Sequence, residues 1–420
     1  MRGLHIAIVA PPLPGHWDPL RVLAGELVAR GHRITFVHMH DAGAMLAETP
    51  FAFESVGSGT HGPGALADYR RRLARAPSLA GFLPMLWATA AMSEMLLQDL
   101  PAALVRIGAD AVIADETEPA GAMVARRLGL PYVTSITGLP LLRDPQVPPP
   151  FLGWRYRDDE AGLKRNRGGW RVADRLMRPI RKVLERYARA WRLDLEEIDG
   201  GSPLLQVAQC PASLDFPRTG LPAGFRYCGP FRTAPAEAPD LPGDKPLVYC
   251  SLGSLQGGRS PLFADMAAAC ADQGARAVIG HGGLLSDEAI AALSGRPLVK
   301  AFWHQPAVLP RCAGALLHGG FNTVLDALAA KVPMAVAPLA FEQPGTAARI
   351  ARSGAGLALT GRLSRRRLSE ALGHVLDEPS YRVRAQALAG EIASLGGASL
   401  AADLIDEALR TGATPAGART

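Results

Sequence analysis

Residues 302–343 read FWHQPAVLPRCAGALLHGGFNTVLDALAAKVPMAVAPLAFEQ, and the fold class follows from them. Ala313 to Leu317 is a short apolar run ending at His318, the pattern of a buried strand. Gly319 and Gly320 allow a tight turn. Val324, Leu325, Leu328 and Ala329 then recur at helical spacing, with Asn322 and Thr323 placed to cap or open the helix. Lys331 and Val332-Pro333 close it, and Met334 to Pro338 reads as a second buried strand. A glycine turn between a parallel strand and a helix N-terminus suits an anion, because free N–H groups and the positive dipole end both favour phosphate.

The same βα grammar extends outward in both directions. Leu4 to Ala10 is an apolar strand, followed by a Pro-Pro-Leu-Pro-Gly-His loop that carries His16. A helix marked by Leu20, Leu23, Ala24, Leu27 and Val28 ends at Gly31, and Ile34 to Val37 forms the next strand. This βαβ opening implies a parallel sheet whose ligands sit at the carboxyl ends of its strands. Ala111 to Ala114 is a further strand that places Asp115 on that same edge, and Tyr132 to Ser135 continues the series. Ser58 to Pro101 reads as helical and rich in Leu, Met and Trp, either a pocket lining or plain core. A second series begins at Pro246, with strands at 247–251, 276–279 and 298–301, and a Gly253-Ser254 turn after the first. After Gln343 the chain reads as helices to the end, and the helix around 400–409 is placed to cross back onto the first half.

At 420 residues the chain suits two domains. The Pro, Gly and Ala density of 217–246 places a linker at 234–245, between a domain at 1–233 and another at 246–396, with a C-terminal helix and tail at 397–420. The five cysteines are scattered without metal-like spacing, which suggests a reducing cytoplasm. Leu4 to Ala10 is too short for a signal peptide, and no consecutive apolar run approaches the length of a membrane span. The net charge of +6 is modest and implies no nucleic-acid partner. Residues 155–192 nevertheless hold 13 Arg or Lys against five Asp or Glu. An apolar stripe of Val172, Leu176, Ile180, Val183, Leu184 and Tyr187 runs through that segment. It is either a solvated face or a patch for anionic lipid headgroups.

These residues resemble the signature of family 1 glycosyltransferases, which runs W-x-P-Q, H-x-G-x-N-S/T, an acid, G-V-P and D/E-Q. The chain supplies Phe302, Gln305, His318, Gly320, Asn322, Thr323, Asp326, Val332-Pro333, Glu342 and Gln343 in that order. More narrowly, VIADETEPAGA (112–122), LDFP (214–217), SLGSLQG (251–257), HGGFNTVLDAL (318–328) and PLAFEQPGTAARI (338–350) are similar to zeaxanthin glucosyltransferases of carotenoid pathways. The resemblance covers most of the chain.

It implies a GT-B fold, two facing Rossmann-like domains, with a UDP-sugar held by the second half. Phe302 stands where the family's Trp stacks on uracil, with Trp303 as an alternative platform. His318 would donate to the diphosphate, helped by backbone N–H groups near Gly320, Asn322 and Thr323. Asp326 would accept from the ribose, and Glu342 and Gln343 would bind the hexose. Ser254 is a further candidate for a phosphate contact.

His16 matches the family's catalytic base and Asp115 its orienting carboxylate, with Asp18 and Glu116 as rivals. The implied reaction is a single displacement with inversion, taking UDP-glucose to a hydroxylated apolar acceptor such as zeaxanthin. No cofactor is expected, and no Asp-x-Asp or His/Cys cluster stands where a metal would hold the diphosphate. A macrolide or polyketide glycosyltransferase and a catalytically silent nucleotide-sugar binder are the alternatives. A generic dinucleotide enzyme is disfavoured, because no G-x-G-x-x-G follows the first strand.

Overall fold

The computed structural model describes residues 3–415 apart from 77, 234–236 and 238. Part of the expected linker and the tail at 416–420 therefore lie outside the described residues. Seven strands form the first sheet: β1 (His5–Val9), β2 (Arg33–Met39), β3 (Ala52–Val56), β4 (Ala111–Asp115), β5 (Tyr132–Ile136), β6 (Gln206–Ala208) and β7 (Phe225–Tyr227). Six form the second: β8 (Leu247–Ser251), β9 (Arg276–Gly280), β10 (Leu298–Lys300), β11 (Cys312–Leu317), β12 (Met334–Val336) and β13 (Gly356–Ala358). Their orders are 3-2-1-4-5-6-7 and 10-9-8-11-12-13, and neighbouring strands run parallel.

The first sheet carries α1 (Pro14–Ala29), α2 (Ala65–Ala74), α3 (Leu79–Ile107), α4 (Pro119–Leu128), α5 (Glu160–Leu176), α6 (Arg178–Trp191) and α7 (Leu195–Asp199). The second carries α8 (Gly253–Gln256), α9 (Ser260–Asp272), α10 (Asp287–Ala291), α11 (Gln305–Val308), α12 (Phe321–Ala329), α13 (Gln343–Ser353), α14 (Arg365–Asp377) and α15 (Pro379–Ser394). The last helix, α16 (Gly397–Thr411), buries Ala401, Ala402, Ile405 and Ala408 in the core of the first half. His32 and Arg30 hold it there through Asp406 and Asp403, each at 2.8 Å.

In each sheet the strand order reverses once, between β1 and β4 and between β8 and β11. Loops on the two sides of such a reversal diverge and leave a crevice, so the topology alone assigns a binding site to each half.

Several expectations need correction. His16 lies in the first turn of α1 and not in a loop, because Leu13 is extended and Pro14 presets the helical φ at the first position. The segment after Gln343 is not wholly helical. It contains β13, a three-residue edge strand paired to β12. Phe225 to Tyr227, inside the Pro- and Gly-rich stretch, pairs as β7. Asn322 does not cap α12; Gly320 holds that position.

The segments 80–107 and 379–411 are long and apolar enough to cross a membrane by length and composition. About half of each is buried in the fold, and α3 spends Leu86, Met92, Leu96 and Leu100 on the core. The apolar stripe of 155–192 also divides. Ile180 and Leu184 on α6 are buried, whereas Val172 and Leu176 on α5 are exposed, because the helix breaks at Met177 ahead of Pro179.

Candidate active site

His16 and Asp115 are brought together at the reversal point of the first sheet. Asp115 ends β4 and is buried, and His16 Nδ1 lies 3.1 Å from its Oδ2. The Thr137 hydroxyl donates to the same oxygen at 2.6 Å, so the proton on Nδ1 is shared between Asp115 and Thr137 Oγ1 at 2.9 Å. The other carboxylate oxygen accepts from the Thr117 amide at 2.9 Å and its hydroxyl at 2.6 Å. Four donors thus fix the carboxylate, the carboxylate fixes the tautomer, and Nε2 is left with its lone pair. The ring keeps one-fifth of its surface open.

Burial works against a charged His16, but the charge and hydrogen bond of Asp115, with help from Glu342 and Glu118, outweigh it and raise its pKa above 6.5. Burial likewise opposes ionised Asp115. Its bonds to His16, Thr117 and Thr137 prevail and lower its pKa. Neither rival carboxylate competes. Asp18 is exposed and pairs with Arg21 at 3.4 Å, and the Glu116 carboxylate accepts from the Leu141 amide at 2.9 Å. Burial pushes Glu116 up to about 8 and Glu118 to about 7.

The second reversal point gathers the donor-side residues. His318 follows β11, is buried, and its Nδ1 meets the Ser251 carbonyl at 3.2 Å. A carbonyl only accepts, so Nδ1 carries the proton and Nε2 does not. Burial lowers the ring's pKa to about 4, so the free protein holds it neutral. Donation from Nε2 to a phosphate oxygen therefore requires either proton uptake with the anion or a switch of tautomer that gives up the Ser251 bond. Gly253 and Gly320 flank this nitrogen so closely that a Cβ at either would stand 2.5 Å from it. Only glycine leaves the ring its place between β8 and α12.

Phe302 is 69% exposed, whereas Trp303 is tied to the core by its indole N–H to the Ile279 carbonyl at 3.0 Å, with Lys300 over its ring. Of the two aromatic candidates, Phe302 has the free face. Gln305 opens α11 beside the Tyr249 hydroxyl. Ser254 is exposed in the single turn α8, and Thr323 is buried in α12. The Gln343 side-chain oxygen accepts from Leu339 and Ala340 amides, both at 2.9 Å, and so shapes the loop before α13. Phe341 in that loop takes a left-handed φ of 54° and packs against the first half's core, presenting Glu342 toward His16.

Contacts between the halves were invisible to motif reading. Asn322 Nδ2 donates to the Gly15 carbonyl at 2.6 Å, one residue before His16. Arg232 reaches Asp326 Oδ1 from its Nε at 2.6 Å. Gln209 Nε2 donates to the Thr137 carbonyl at 2.7 Å and to Asn322 Oδ1 at 3.2 Å. Asp215, of the LDFP stretch, accepts from Arg218 at 2.6 Å, from Arg349 on α13 at 2.9 Å and from the Tyr227 hydroxyl at 3.1 Å, with all three charged side chains buried. Thr137 and Arg232 are the functional candidates that motif reading missed. Thr137 at least follows β5 on the expected edge; Arg232 carried no signal within a Pro-rich segment.

Two parallel sheets, each with one reversal in its strand order, and a helix returning from the second half to the first make up the GT-B architecture of glycosyltransferases. The solved structure of the glycotransferase of kitacinnamycin shares it, with a TM-score of 0.77, 21% identity, and 97% of this chain and 100% of that one covered. Residues 288–398 match the family described as erythromycin biosynthesis protein CIII-like, C-terminal domain. The chain is 35% identical to zeaxanthin glucosyltransferase of Pantoea ananas, covering 97% of this chain and 96% of that protein. It is 36% identical to zeaxanthin glucosyltransferase of Pseudescherichia vulneris, covering 96% and 98%. The chain belongs to the family 1 glycosyltransferases and is a sugar-transferring enzyme.

Proposed function

We propose that the enzyme transfers glucose from UDP-glucose, with inversion and without a metal, to a hydroxyl of a long apolar acceptor of the carotenoid diol class, zeaxanthin among them. The observation that carries the mechanism is the His16–Asp115–Thr137 arrangement, which leaves a basic Nε2 in a ring still open to solvent. In this reading Nε2 takes the acceptor's hydroxyl proton as its oxygen attacks the anomeric carbon. The bond from that carbon to the diphosphate breaks, and UDP leaves with the electron pair. The N-terminus of α12 and His318 meet the charge that develops. His16 then returns its proton to water.

The acceptor assignment draws on the near full-length similarity to two zeaxanthin glucosyltransferases. The test is mass spectrometry of products after incubation with UDP-glucose and zeaxanthin, a macrolide or a flavonoid. Exclusive glycosylation of the macrolide would favour the second reading, a natural-product glycosyltransferase, which the erythromycin-type family match supports. A silent sugar-nucleotide binder would have no use for the intact His–Asp pair.

Because a base must be neutral to act, kcat/KM is expected to fall on the acid side with a midpoint above 6.5, the direction in which His16 is displaced. Asp115→Asn removes the main influence raising it while burial still lowers it. The midpoint is therefore expected to move down as kcat drops. A pH–rate profile whose acid limb is unmoved by that substitution would dissociate the pair.

A cytoplasmic enzyme acting on a carotenoid has to meet its acceptor at a membrane surface. Leu83 and Trp87 on α3 and Val172, Leu176 and Met177 at the end of α5 are exposed apolar side chains, and α5 and α6 carry most of the basic residues of 155–192. Each basic side chain near an anionic surface contributes about 1 kcal/mol. Co-sedimentation with phosphatidylserine vesicles is expected to be strong at low salt and to fade as salt rises. Equal binding to phosphatidylcholine vesicles would refute a charge-driven contact.

A further inference from the structure

Gln209 follows β6, is fully buried, and uses every hydrogen-bonding position of its side-chain amide. Nε2 donates to the Thr137 carbonyl at 2.7 Å and to Asn322 Oδ1 at 3.2 Å, while Oε1 accepts from the Phe231 amide at 2.8 Å and from Arg232 at 3.0 Å. Two donors face the oxygen and two acceptors face the nitrogen, so the amide has one orientation. Two of these partners lead to His16. The Thr137 hydroxyl lies 2.6 Å from Asp115 Oδ2 and 2.9 Å from His16 Nδ1. Asn322, at the start of α12 in the second half, reaches the same turn through the Gly15 carbonyl at 2.6 Å. A closed path therefore runs from His16 through Thr137, Gln209 and Asn322 to Gly15, the residue before it.

We propose that Gln209 is a positioning residue for the base: it holds the Thr137 hydroxyl on Asp115 and His16, and ties that placement to the seating of α12 against the first half. This rests on the reading of His16 as the base. Thr137 stands one residue past Ile136, the last paired residue of β5, so the sheet ladder does not fix it. Its carbonyl bond to Gln209 does so instead, and that amide is itself anchored from both halves. The hydroxyl's two short bonds leave little room for drift. A displacement of about 1 Å at a group that orients the chemistry costs about 10²-fold in rate. The base is thus fully set only when the second half is in place, which joins proton removal to the assembled cleft.

The test is a double-substitution cycle on the full chain. Gln209→Glu is nearly isosteric: it keeps the oxygen that Phe231 and Arg232 use, with Arg232 as counter-charge, and sets a second oxygen against the Thr137 carbonyl and Asn322 Oδ1. At neutral pH, single-turnover transfer from UDP-glucose to the acceptor found in the product assay is expected to slow about 10²-fold. UDP affinity by titration calorimetry is expected to stay within about threefold, because Asn322 keeps its bonds to Arg232 and Gly15. Made on Thr137→Val, which has no hydroxyl to place, the same substitution is expected to cost less than about tenfold. Equal costs in the two backgrounds, or a loss of UDP affinity as large as the loss of rate, would reduce Gln209 to a strut between the halves and overturn the proposal. Should Gln209→Glu not fold, Gln209→Asn, one methylene shorter and still an amide, goes through the same cycle under the same criteria. His16→Ala separates the two levels. If transfer survives it, the base reading falls; if transfer is lost while the cycle is additive, only the role of Gln209 falls.

Discussion

His16→Ala is expected to lower kcat by about 10²–10⁴-fold while leaving the affinity for UDP unchanged. The magnitude is what a positioned general base contributes, and the separation of the two effects comes from the architecture. His16 belongs to the first turn of α1 and the reversal point of the first sheet, whereas His318, Gly320 and Asp326 belong to the reversal point of the second. The imidazole's recorded hydrogen-bond partners are Asp115 and Thr137, both in the first half, so its removal orphans no donor-side group. The bridge that ties this turn to α12 runs from Asn322 to the backbone of Gly15, which the substitution preserves. Single-turnover product formation and calorimetric titration with UDP would measure the two quantities separately. Unaltered turnover would remove His16 as the base, and a parallel loss of UDP affinity would mean that its role is to build the cleft.

Asp215→Ala is expected to destabilise the protein by about 3–5 kcal/mol, far more than loss of the exposed Arg366–Glu370 pair, which is worth about 0–1 kcal/mol. Asp215 is the anion shared by Arg218 and Arg349, and none of the three side chains is more than 1% exposed. Removing it leaves two guanidinium groups in the interior without a counter-charge, one of which stacks at 4.1 Å on the Phe216 ring. Arg349 comes from α13 and Asp215 from the segment between β6 and β7, so the loss also removes one of the ties between the halves. Burial alone would raise the pKa of Asp215, but the two arginines overcome it and hold it below its ordinary value of 3.8. The stability it supplies is therefore complete above that pH and is lost as pH falls through the lowered value. Chemical denaturation of the two forms at neutral pH tests the magnitude. Acid titration tests the linkage, since the gap between them is expected to close at low pH. A loss under about 1 kcal/mol would show that the cluster's desolvation cancels its Coulomb attraction.

The two halves differ in how openly the chain displays them. Strands β8, β11 and β12 and the turn at Gly319-Gly320 were legible because they are local signals: short apolar runs, a glycine pair, then a helical period. β13 escaped because Gly356-Leu357-Ala358 carries no β-branched residue and owes its strand character to its neighbour β12. The exposure of Phe302 and the commitment of Trp303 likewise depend on where the Ile279 carbonyl sits, a fact about another strand. LDFP and PGTAARI stood out as patterns, yet nothing in either reveals that Asp215 and Arg349, 134 residues apart, share one buried bond.

From the order of residues alone came the βα alternation, hence the parallel sheets, and the placement of His16, Asp115 and His318 on the carboxyl edges of those sheets, because backbone propensity and side-chain periodicity act over a few neighbours. The tertiary structure decided the rest: that Thr137 shares the His16 proton, that His318 is held neutral between two glycines, and that Arg232 occupies one oxygen of Asp326. Those outcomes depend on burial and on hydrogen bonds that span 67 to 121 residues, which are set by packing and leave no periodic trace in the chain.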